Sequence, residues 1–316
     1  MFDSRGLIPM DANTFIELLA AAVRIATPLA FAALGGILSE RAGTFAVGIE
    51  GMMLAGAFGG AVTAFAFAST AAGLAVSAAS GAALGAVVAV ATARFRADHM
   101  VTGLAVNILA IGLTSFLLRG LFQGQTPVIQ LGTLGPLPVP YLSDLPVVGR
   151  VLFHQPALTY LALLLTVPMY LFLMKTRPGL TLRAVGENPA AAFTAGSDPV
   201  GVRMAAIIAG GALAGLGGAV LSLQEVGTFT DGMTNGRGFI ALAAIIVGRW
   251  MPLGALAGCL LFGAAAALEL RVQGWGLPVS SYVIQMTPYL LALAVLAGIG
   301  RAARMPAAIG TAFTKN

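Results

Sequence analysis

Charged residues are scarce in this sequence. Only 9% of its 316 residues are Asp, Glu, Lys or Arg, whereas 58% are hydrophobic and the mean hydropathy is +0.93. A soluble domain carries about 25% charged residues, so this chain lacks the polar surface that a globular protein of its length needs. Its apolar runs are far longer than the ~10 residues of a barrel strand, and they do not alternate. The composition therefore predicts an all-α membrane protein.

Cysteine and histidine, which often act in catalysis or bind metals, are also rare. Cys259 is the only cysteine and lies in an apolar run, and the only histidines, His99 and His154, fall in polar stretches. A single thiol excludes a disulfide framework and a thiol metal site, and no span holds a histidine for a serine–histidine pair. Neither an HExxH metal motif nor a GxxxxGKS/T phosphate loop is present. We therefore predict no catalytic residue, no metal site and no cofactor on this chain.

Apolar runs of about 20 residues, the length that crosses a bilayer, recur along the chain. The clear ones are residues 14–38, 45–68, 71–95, 100–118, 157–174, 204–224, 252–270 and 282–299, and residues 238–247 form a shorter one. They predict a polytopic transmembrane helical bundle of about eight to nine spans. Small residues at four-residue spacing, Ser77, Gly81 and Gly85 in one run and Gly211 and Gly215 in another, predict close helix packing.

Basic residues indicate the orientation, because short loops rich in Lys and Arg stay on the cytoplasmic side. The turn at 94–99, the stretch 175–203 and the tail 300–316 are basic and are predicted inside. The proline-rich stretch 120–156 has Arg150 as its only basic residue and is predicted to be an extracytoplasmic loop. Counting 238–247 as a crossing places the N-terminus outside and the C-terminus in the cytoplasm.

The stretch 175–203 is a polar, basic interruption between two apolar runs. Its centre predicts a very short capped helix, with Asn188 as N-cap, Pro189 at the first helical position and Gly196 as the left-handed stop. A helix of about ten ångströms is marginal alone in water. We therefore expect this helix to dock on a cytoplasmic partner.

Two polar residues lie inside apolar runs. Glu50 either lines a substrate path, the usual role of a carboxylate at membrane depth, or sits near the inner interface, paired with Arg41 or capping a broken helix. Asn107 either faces the path or hydrogen-bonds a neighbouring helix.

A polar segment, 225–237, follows Gln224 and contains Asn235. It is either a re-entrant segment that lines the path or an ordinary outer loop. Segments 39–60 and 235–258 both pair Arg and Gly before an apolar run, which suggests internal repeats around a transport path. The candidate pathway residues are Glu50, Asn107, Gln224 and Asn235.

Several motifs carry a resemblance to a known family. They are LSERAG at 38–43, GIEGMMLAGAF at 48–58, TGLAVNILAIGLT at 102–114, LRAVGENPAAA at 182–192 and GRGFIALAAIIVGRWMPLGA at 236–255. Together they resemble the permease subunits of bacterial ABC importers of the branched-chain amino acid and simple-sugar group. The likeness is strongest to the shorter permease of nucleoside importers, and it runs over residues 29–299.

The resemblance implies a single permease domain, 1–316, in the bacterial inner membrane. No nucleic-acid partner is expected, because the basic residues are dispersed at the ends of the apolar segments. The resemblance also implies a homologous second permease, a cytoplasmic subunit that uses ATP and Mg, and an extracytoplasmic substrate-binding protein. The segment matching 186–195 is the family's coupling helix, which contacts the ATPase. The expected coupling residues are Gly186, Glu187, Asn188, Pro189, Ala190 and Phe193. Purine nucleosides are the expected substrate, with other nucleosides, riboflavin-like compounds, sugars and branched-chain amino acids as alternatives.

Two alternative functions belong to classes other than ABC importers. Glu50 and the suggested repeats would also suit a self-sufficient secondary transporter driven by an ion gradient. An intramembrane enzyme is disfavoured, because no span holds a histidine.

Overall fold

The computed structural model describes residues 12–123, 133–143, 145–274 and 305–314, together with isolated positions between 286 and 298. The predicted span 282–299 falls mainly outside the described residues, and so does the chain before residue 12. The count of eight to nine spans and the suggested repeats therefore stay predictions.

The described chain is almost entirely helical. Its helices are α1 (Ala12–Arg41), α2 (Ile49–Phe67), α3 (Thr70–Ala89), α4 (His99–Phe122), α5 (Val148–Leu152), α6 (Ala157–Lys175), α7 (Arg177–Glu187), α8 (Pro189–Thr194), α9 (Pro199–Ala219), α10 (Arg237–Val247) and α11 (Pro252–Gly274). α3 and α9 continue as π-helical segments, Val90–Arg94 and Val220–Val226. Two short strands, β1 (Pro136–Pro138) and β2 (His154–Pro156), pair antiparallel.

Seven helices in the described ranges are long and apolar enough to cross a membrane: α1, α2, α3, α4, α6, α9 and α11. The prediction of an all-α, multi-pass helical bundle is therefore confirmed. Arg24 and Pro28 interrupt the apolar run of α1 without ending the helix. α10 has only 11 residues, about 16 Å at 1.5 Å per residue, and is too short to span a membrane alone.

Helix α9 lies at the centre of the bundle, packed against α1, α2 and α3. The packing depends on glycine. A Cβ at Gly81 would collide with the backbone of Gly211 and Gly215, so α3 and α9 meet backbone to backbone at the small residues that the sequence singled out. A Cβ at Gly35 of α1 would likewise meet the carbonyl oxygen of Gly210.

Four sequence-based boundaries are wrong. α1 runs to Arg41, three residues beyond the predicted end of the first apolar run at residue 38, and α2 begins at Ile49 rather than at residue 45. His99 was placed in a polar stretch, yet it is the first residue of α4 and is buried. Glu225 continues the π-helical end of α9 instead of opening a loop. In each case the helix ends at a different residue from the apolar run that predicted it, because tertiary contacts extend or shorten the helix.

The loop at 120–156 has more structure than its prolines suggested. It contains α5 and both strands. The Tyr160 hydroxyl accepts a hydrogen bond from the Gln155 amide at 3.0 Å and donates one to the Leu137 carbonyl at 2.9 Å. The described part of this loop therefore forms a small folded cap at the end of the bundle where α6 begins.

Candidate docking surface and transmembrane polar site

Helix α8 has the predicted caps. The Asn188 side chain accepts a hydrogen bond from the Ala191 amide at 3.0 Å, and Pro189 occupies the first helical turn. Gly196 has φ +90°, a left-handed conformation that glycine adopts without strain. The local sequence therefore sets both ends of this six-residue helix.

Helix α7, which the sequence analysis missed, leads directly into α8. The Thr176 hydroxyl accepts from the Gly179 amide at 3.2 Å, and Pro178 lies in the first turn. This Thr-x-Pro signal could have found the helix. Only Asn188 separates α7 from α8, so the two helices form one elbow at the end of the bundle, called here the α7–α8 elbow.

The predicted coupling residues divide into a surface group and one internal contact. Glu187, Asn188 and Ala190 are exposed, Pro189 is half-buried, and the Phe193 side chain is 39% exposed. Gly186 is buried against α1, where a Cβ would collide with the Arg41 carbonyl. The elbow therefore presents α8 outward and is fixed to α1 through Gly186.

Residues 305–314, called here the C-terminal strap, lie across the elbow. The Ala308 amide donates to the Gly186 carbonyl at 2.9 Å, and the Ala307 amide donates to the Glu187 carboxylate at 3.3 Å. The Phe313 and Phe193 rings pack with centroids 5.6 Å apart. The strap therefore holds α8 from the side that faces the bundle.

Arg203, near the start of α9, ties the strap to the transmembrane core. Its side chain is 2% exposed. The guanidinium donates to the carbonyls of Thr311 at 2.7 Å, Ala42 at 3.1 Å and Ala308 at 3.4 Å. A buried guanidinium is stable only when its donors are satisfied, and here backbone carbonyls of two distant segments do so. One side chain thus joins the strap to the break between α1 and α2.

That break, residues 42–48, is itself held on α10 and its following turn. The Glu40 carboxylate accepts from the Trp250 indole and from the Ala46 amide, the latter at 3.3 Å. Arg41 Nε donates to the Trp250 carbonyl at 2.9 Å. The C-terminal end of α10 is therefore anchored at the same end of the bundle as the elbow.

Glu50, at the start of α2, caps the other end of α10. Its two carboxylate oxygens accept from the Gly236 amide at 2.8 Å and the Gly238 amide at 2.6 Å. A carboxylate at a helix N-terminus satisfies free N–H groups and the positive end of the helix dipole. This contact confirms that Glu50 caps a broken helix, and Arg41 bonds to Trp250 instead. A role in the substrate path stays a prediction.

Asn107 shows that this cap lies well inside the membrane span. Its side chain accepts from the Gly51 amide at 2.8 Å and donates to the Val47 carbonyl at 3.0 Å. Asn107 lies eight residues after His99, the start of α4, which corresponds to about 12 Å of helix. Asn107 therefore joins α4 to the start of α2, and the two helix N-termini at Glu50 and Gly236 meet at this depth.

The segment between α9 and α10 descends into the bundle. The Asp231 carboxylate accepts from the Ser115 hydroxyl at 2.9 Å, while Gly236 reaches Glu50 at the level of Asn107. Phe229 is 0% exposed and packs edge-on against Phe58 at 5.1 Å. The segment therefore runs from the level of Ser115 down to that of Asn107 before α10 begins, although Thr230, Asp231 and Gly232 are exposed. Its role as a re-entrant lining of the substrate path stays a prediction.

A polar cavity of about 550 Å³ lies beside this segment, between α1, α10 and α11. Its polar lining residues are Glu225, Asn235, Arg237, Glu269 and Gln273. Of the four predicted pathway residues, Asn235 alone lines it. Gln224 turns away toward α6, where its amide donates to Thr159 at 3.3 Å. The sequence analysis did not propose Glu269 and Gln273 as pathway residues, because they lie in the last turns of α11, whose preceding residues are apolar.

The described residues contain no group of three or more His, Cys, Asp or Glu side chains that could hold a metal ion. Glu50 itself has both oxygens occupied by backbone amides.

Replacing Glu50 by glutamine is expected to weaken the protein without altering substrate affinity. The amide retains one acceptor, but its NH2 group opposes a backbone N–H, and the charge–dipole attraction is lost. A buried charged hydrogen bond contributes about 1.5–3 kcal/mol, so thermal unfolding in detergent should shift to a lower temperature. The matched change Glu269→Gln, in a residue with no backbone partner to cap, should leave the unfolding temperature nearly unchanged. An unchanged unfolding temperature and an altered KM for uptake in Glu50→Gln would contradict the capping role.

The branched-chain amino acid transport system / permease component family matches residues 18–299. The chain is 39% identical to the nucleoside ABC transporter permease protein NupC of Lactococcus lactis, over 96% of this chain and 98% of that protein. It is 35% identical to the guanosine ABC transporter permease protein NupQ of Bacillus subtilis, over 97% and 99%. It is also 38% identical to the putative glucose ABC transporter permease protein TsgC13 of Haloferax volcanii, over 82% and 79%.

No solved structure matches the chain. The family match covers the elbow and six of the seven described membrane-spanning helices in full, and α1 from residue 18 onward. The chain therefore belongs to the branched-chain amino acid transport system / permease component family and is a multi-pass membrane permease.

Proposed function

We propose that this chain is the transmembrane permease subunit of an ATP-driven ABC importer for nucleosides, with purine nucleosides as the first candidates. The observation that carries the proposal is the outward-facing α8, capped at both ends and fixed to the core by the strap. A short helix held rigidly at a surface suits transmission of force from a partner. The names of NupC and NupQ support both the ABC mechanism and the substrate class.

In this proposal the nucleotide chemistry takes place on another chain. A cytoplasmic ATPase binds ATP and Mg and moves α8, while this chain binds no cofactor and catalyses no reaction. Motion of α8 passes through the strap and Arg203 to the carbonyl of Ala42. From there it reaches the 42–48 break and the two helix N-termini at Glu50. Opening and closing at these broken helices would provide alternating access.

The same geometry supports a proposal for the orientation of the chain, and the family supports one for its partners. The strap lies against the elbow, so the C-terminal tail and the basic stretch 175–203 share one end of the bundle. The positive-inside rule makes that end cytoplasmic, in the bacterial inner membrane. We propose that residues 1–316 form one permease domain with 120–156 as the extracytoplasmic loop. A homologous second permease and an extracytoplasmic binding protein would complete the importer.

The substrate path is proposed to include the polar cavity beside the segment between α9 and α10. Amide, carboxylate and guanidinium groups of Asn235, Glu225 and Arg237 can hydrogen-bond the hydroxyl and base groups of a nucleoside, and Phe262 forms part of the apolar wall. Glu50 and Asn107 would support this path by fixing the helix ends behind it, and Gln224 by joining it to α6. The likeness to TsgC13 makes a sugar the second candidate substrate.

Uptake by reconstituted vesicles tests the proposal. We expect ATP-dependent accumulation of radiolabelled guanosine when this chain, its second permease, the ATPase and the binding protein are present, and none when any one is omitted. Glucose is the matched control solute. Accumulation of glucose but not guanosine would reassign the substrate. Ion-gradient-driven uptake by this chain alone would contradict the ABC mechanism.

A further inference from the structure

A wide apolar groove separates α6 from α9 next to the elbow. Its volume is about 640 Å³. α6 packs on α1, α7 and α11, whereas α9 packs on α1, α2 and α3, so the two helices diverge where they face each other. The lining includes Met169 and Phe172 of α6, Thr181 of α7 and Ala205 and Ala209 of α9.

The groove has the depth of one membrane leaflet. Its lining begins at Leu165 and α6 ends at Lys175, a rise of ten residues or about 15 Å. That is half of the ~30 Å hydrocarbon core of a bilayer. The walls of the groove are apolar, and the groove lies between two membrane-spanning helices. The bilayer around these helices consists of lipid acyl chains, so an acyl chain is the expected occupant.

Two cations lie at the elbow end of the groove. Lys175 follows the lining residue Phe172 by three positions, and Arg177 directly precedes the lining residue Pro178. Both side chains are exposed, and neither makes a salt bridge or hydrogen bond with another described side chain. α7, whose N-terminus lies between them, also presents its positive dipole end here.

We infer that this groove is a binding site for an anionic phospholipid. One acyl chain lies between α6 and α9, and the phosphate is held by Lys175 and Arg177. Basic clusters between membrane helices at the cytoplasmic side have the charge and position to bind anionic head groups. The lipid would fill the gap beneath α7 and thereby support the elbow from the membrane side, opposite to the strap.

Native mass spectrometry tests this site without reference to transport. The full-length permease is equilibrated with vesicles of equal phosphatidylglycerol and phosphatidylcholine and is then extracted in mild detergent. We expect one phosphatidylglycerol per chain to be retained in preference to phosphatidylcholine. Ala205→Phe, which places a ring in the groove from an exposed position, should reduce its occupancy at least fivefold. Ala79→Phe, on an exposed position of α3, is the matched control and should leave it unchanged.

The charge of the site is tested separately. The double change Lys175→Gln with Arg177→Gln should abolish the preference for phosphatidylglycerol. The double change Arg94→Gln with Arg96→Gln, two exposed cations at the end of α3, should preserve it. Equal retention of both lipids by the unaltered chain would overturn the inference, as would occupancy unaffected by Ala205→Phe. So would loss of the lipid on assembly with a second permease, since a partner helix would then be the natural occupant.

Discussion

Phe193→Asp is expected to abolish ATP-driven uptake while the permease still folds and inserts. The Phe193 side chain of α8 is 39% exposed, and one side of its ring packs on Phe313 of the strap. A carboxylate at this position would be buried, unpaired, in any interface that covers α8. Loss of a central aromatic anchor costs about 2 kcal/mol or more, equivalent to about thirtyfold in affinity for the ATPase.

The measurement pairs two readouts: co-purification of the ATPase with the permease, and uptake in reconstituted vesicles. Tyr141→Asp, at a side chain that is 91% exposed at the opposite end of the bundle, is the control and should leave both unchanged. Glu187→Arg should behave like Phe193→Asp, because it reverses the charge beside the N-cap of α8 and removes the acceptor for the Ala307 amide. Normal ATPase retention and uptake in Phe193→Asp would show that α8 is not the docking element.

Arg203→Ala is expected to release the C-terminal strap. The change leaves the carbonyls of Ala42 and Thr311 without their guanidinium donor, whereas the Ala308 carbonyl keeps the amide and hydroxyl of Thr311 as donors. Each orphaned group costs about 1–3 kcal/mol, so the strap should open more readily by about 3 kcal/mol. At 1.4 kcal/mol per tenfold, the Ala308 and Gly310 amides, which bond to Gly186 and Gly43, should exchange their hydrogens about a hundredfold faster.

Hydrogen exchange measured by mass spectrometry distinguishes this local release from general unfolding, because amides in the centre of α9 should keep their protection. Arg203→Lys retains a charge but lacks the planar fork that reaches several carbonyls, so an intermediate exchange rate is expected. Arg94→Ala removes an exposed arginine and serves as the control. Strap exchange in Arg203→Ala that equals the unaltered chain would exclude Arg203 as the link between strap and core.

Features encoded by neighbouring residues could be predicted from the sequence. Seven spans follow from hydropathy, and both caps of α8 follow from Asn188, Pro189 and Gly196 within one short stretch. The packing of α3 on α9 follows from small residues at helical spacing. Each of these signals is local, so no knowledge of the fold was needed to read it.

Contacts between distant segments could not be predicted in the same way. Glu50 lies 186 residues from its hydrogen-bond partner Gly236, and Arg203 lies 108 residues from Thr311. Nothing in either local sequence specifies these partners, because only the packing of α1, α2 and α9 brings them together. The position of Glu269 on the wall of the cavity likewise depends on which face α11 turns toward α1.

In the proposed mechanism, α8 is the surface through which a separate ATPase drives this permease. Ala190 is exposed on α8, and Cys259, the chain's one cysteine, is buried, so a thiol introduced by Ala190→Cys is the accessible one. A thiol-linked photocrosslinker at this position, activated in the assembled membrane complex, should give one adduct with the mass of permease plus ATPase subunit. The same label on Tyr141→Cys should give none. Absence of the adduct at position 190, or equal adduct formation at position 141, would contradict the claim.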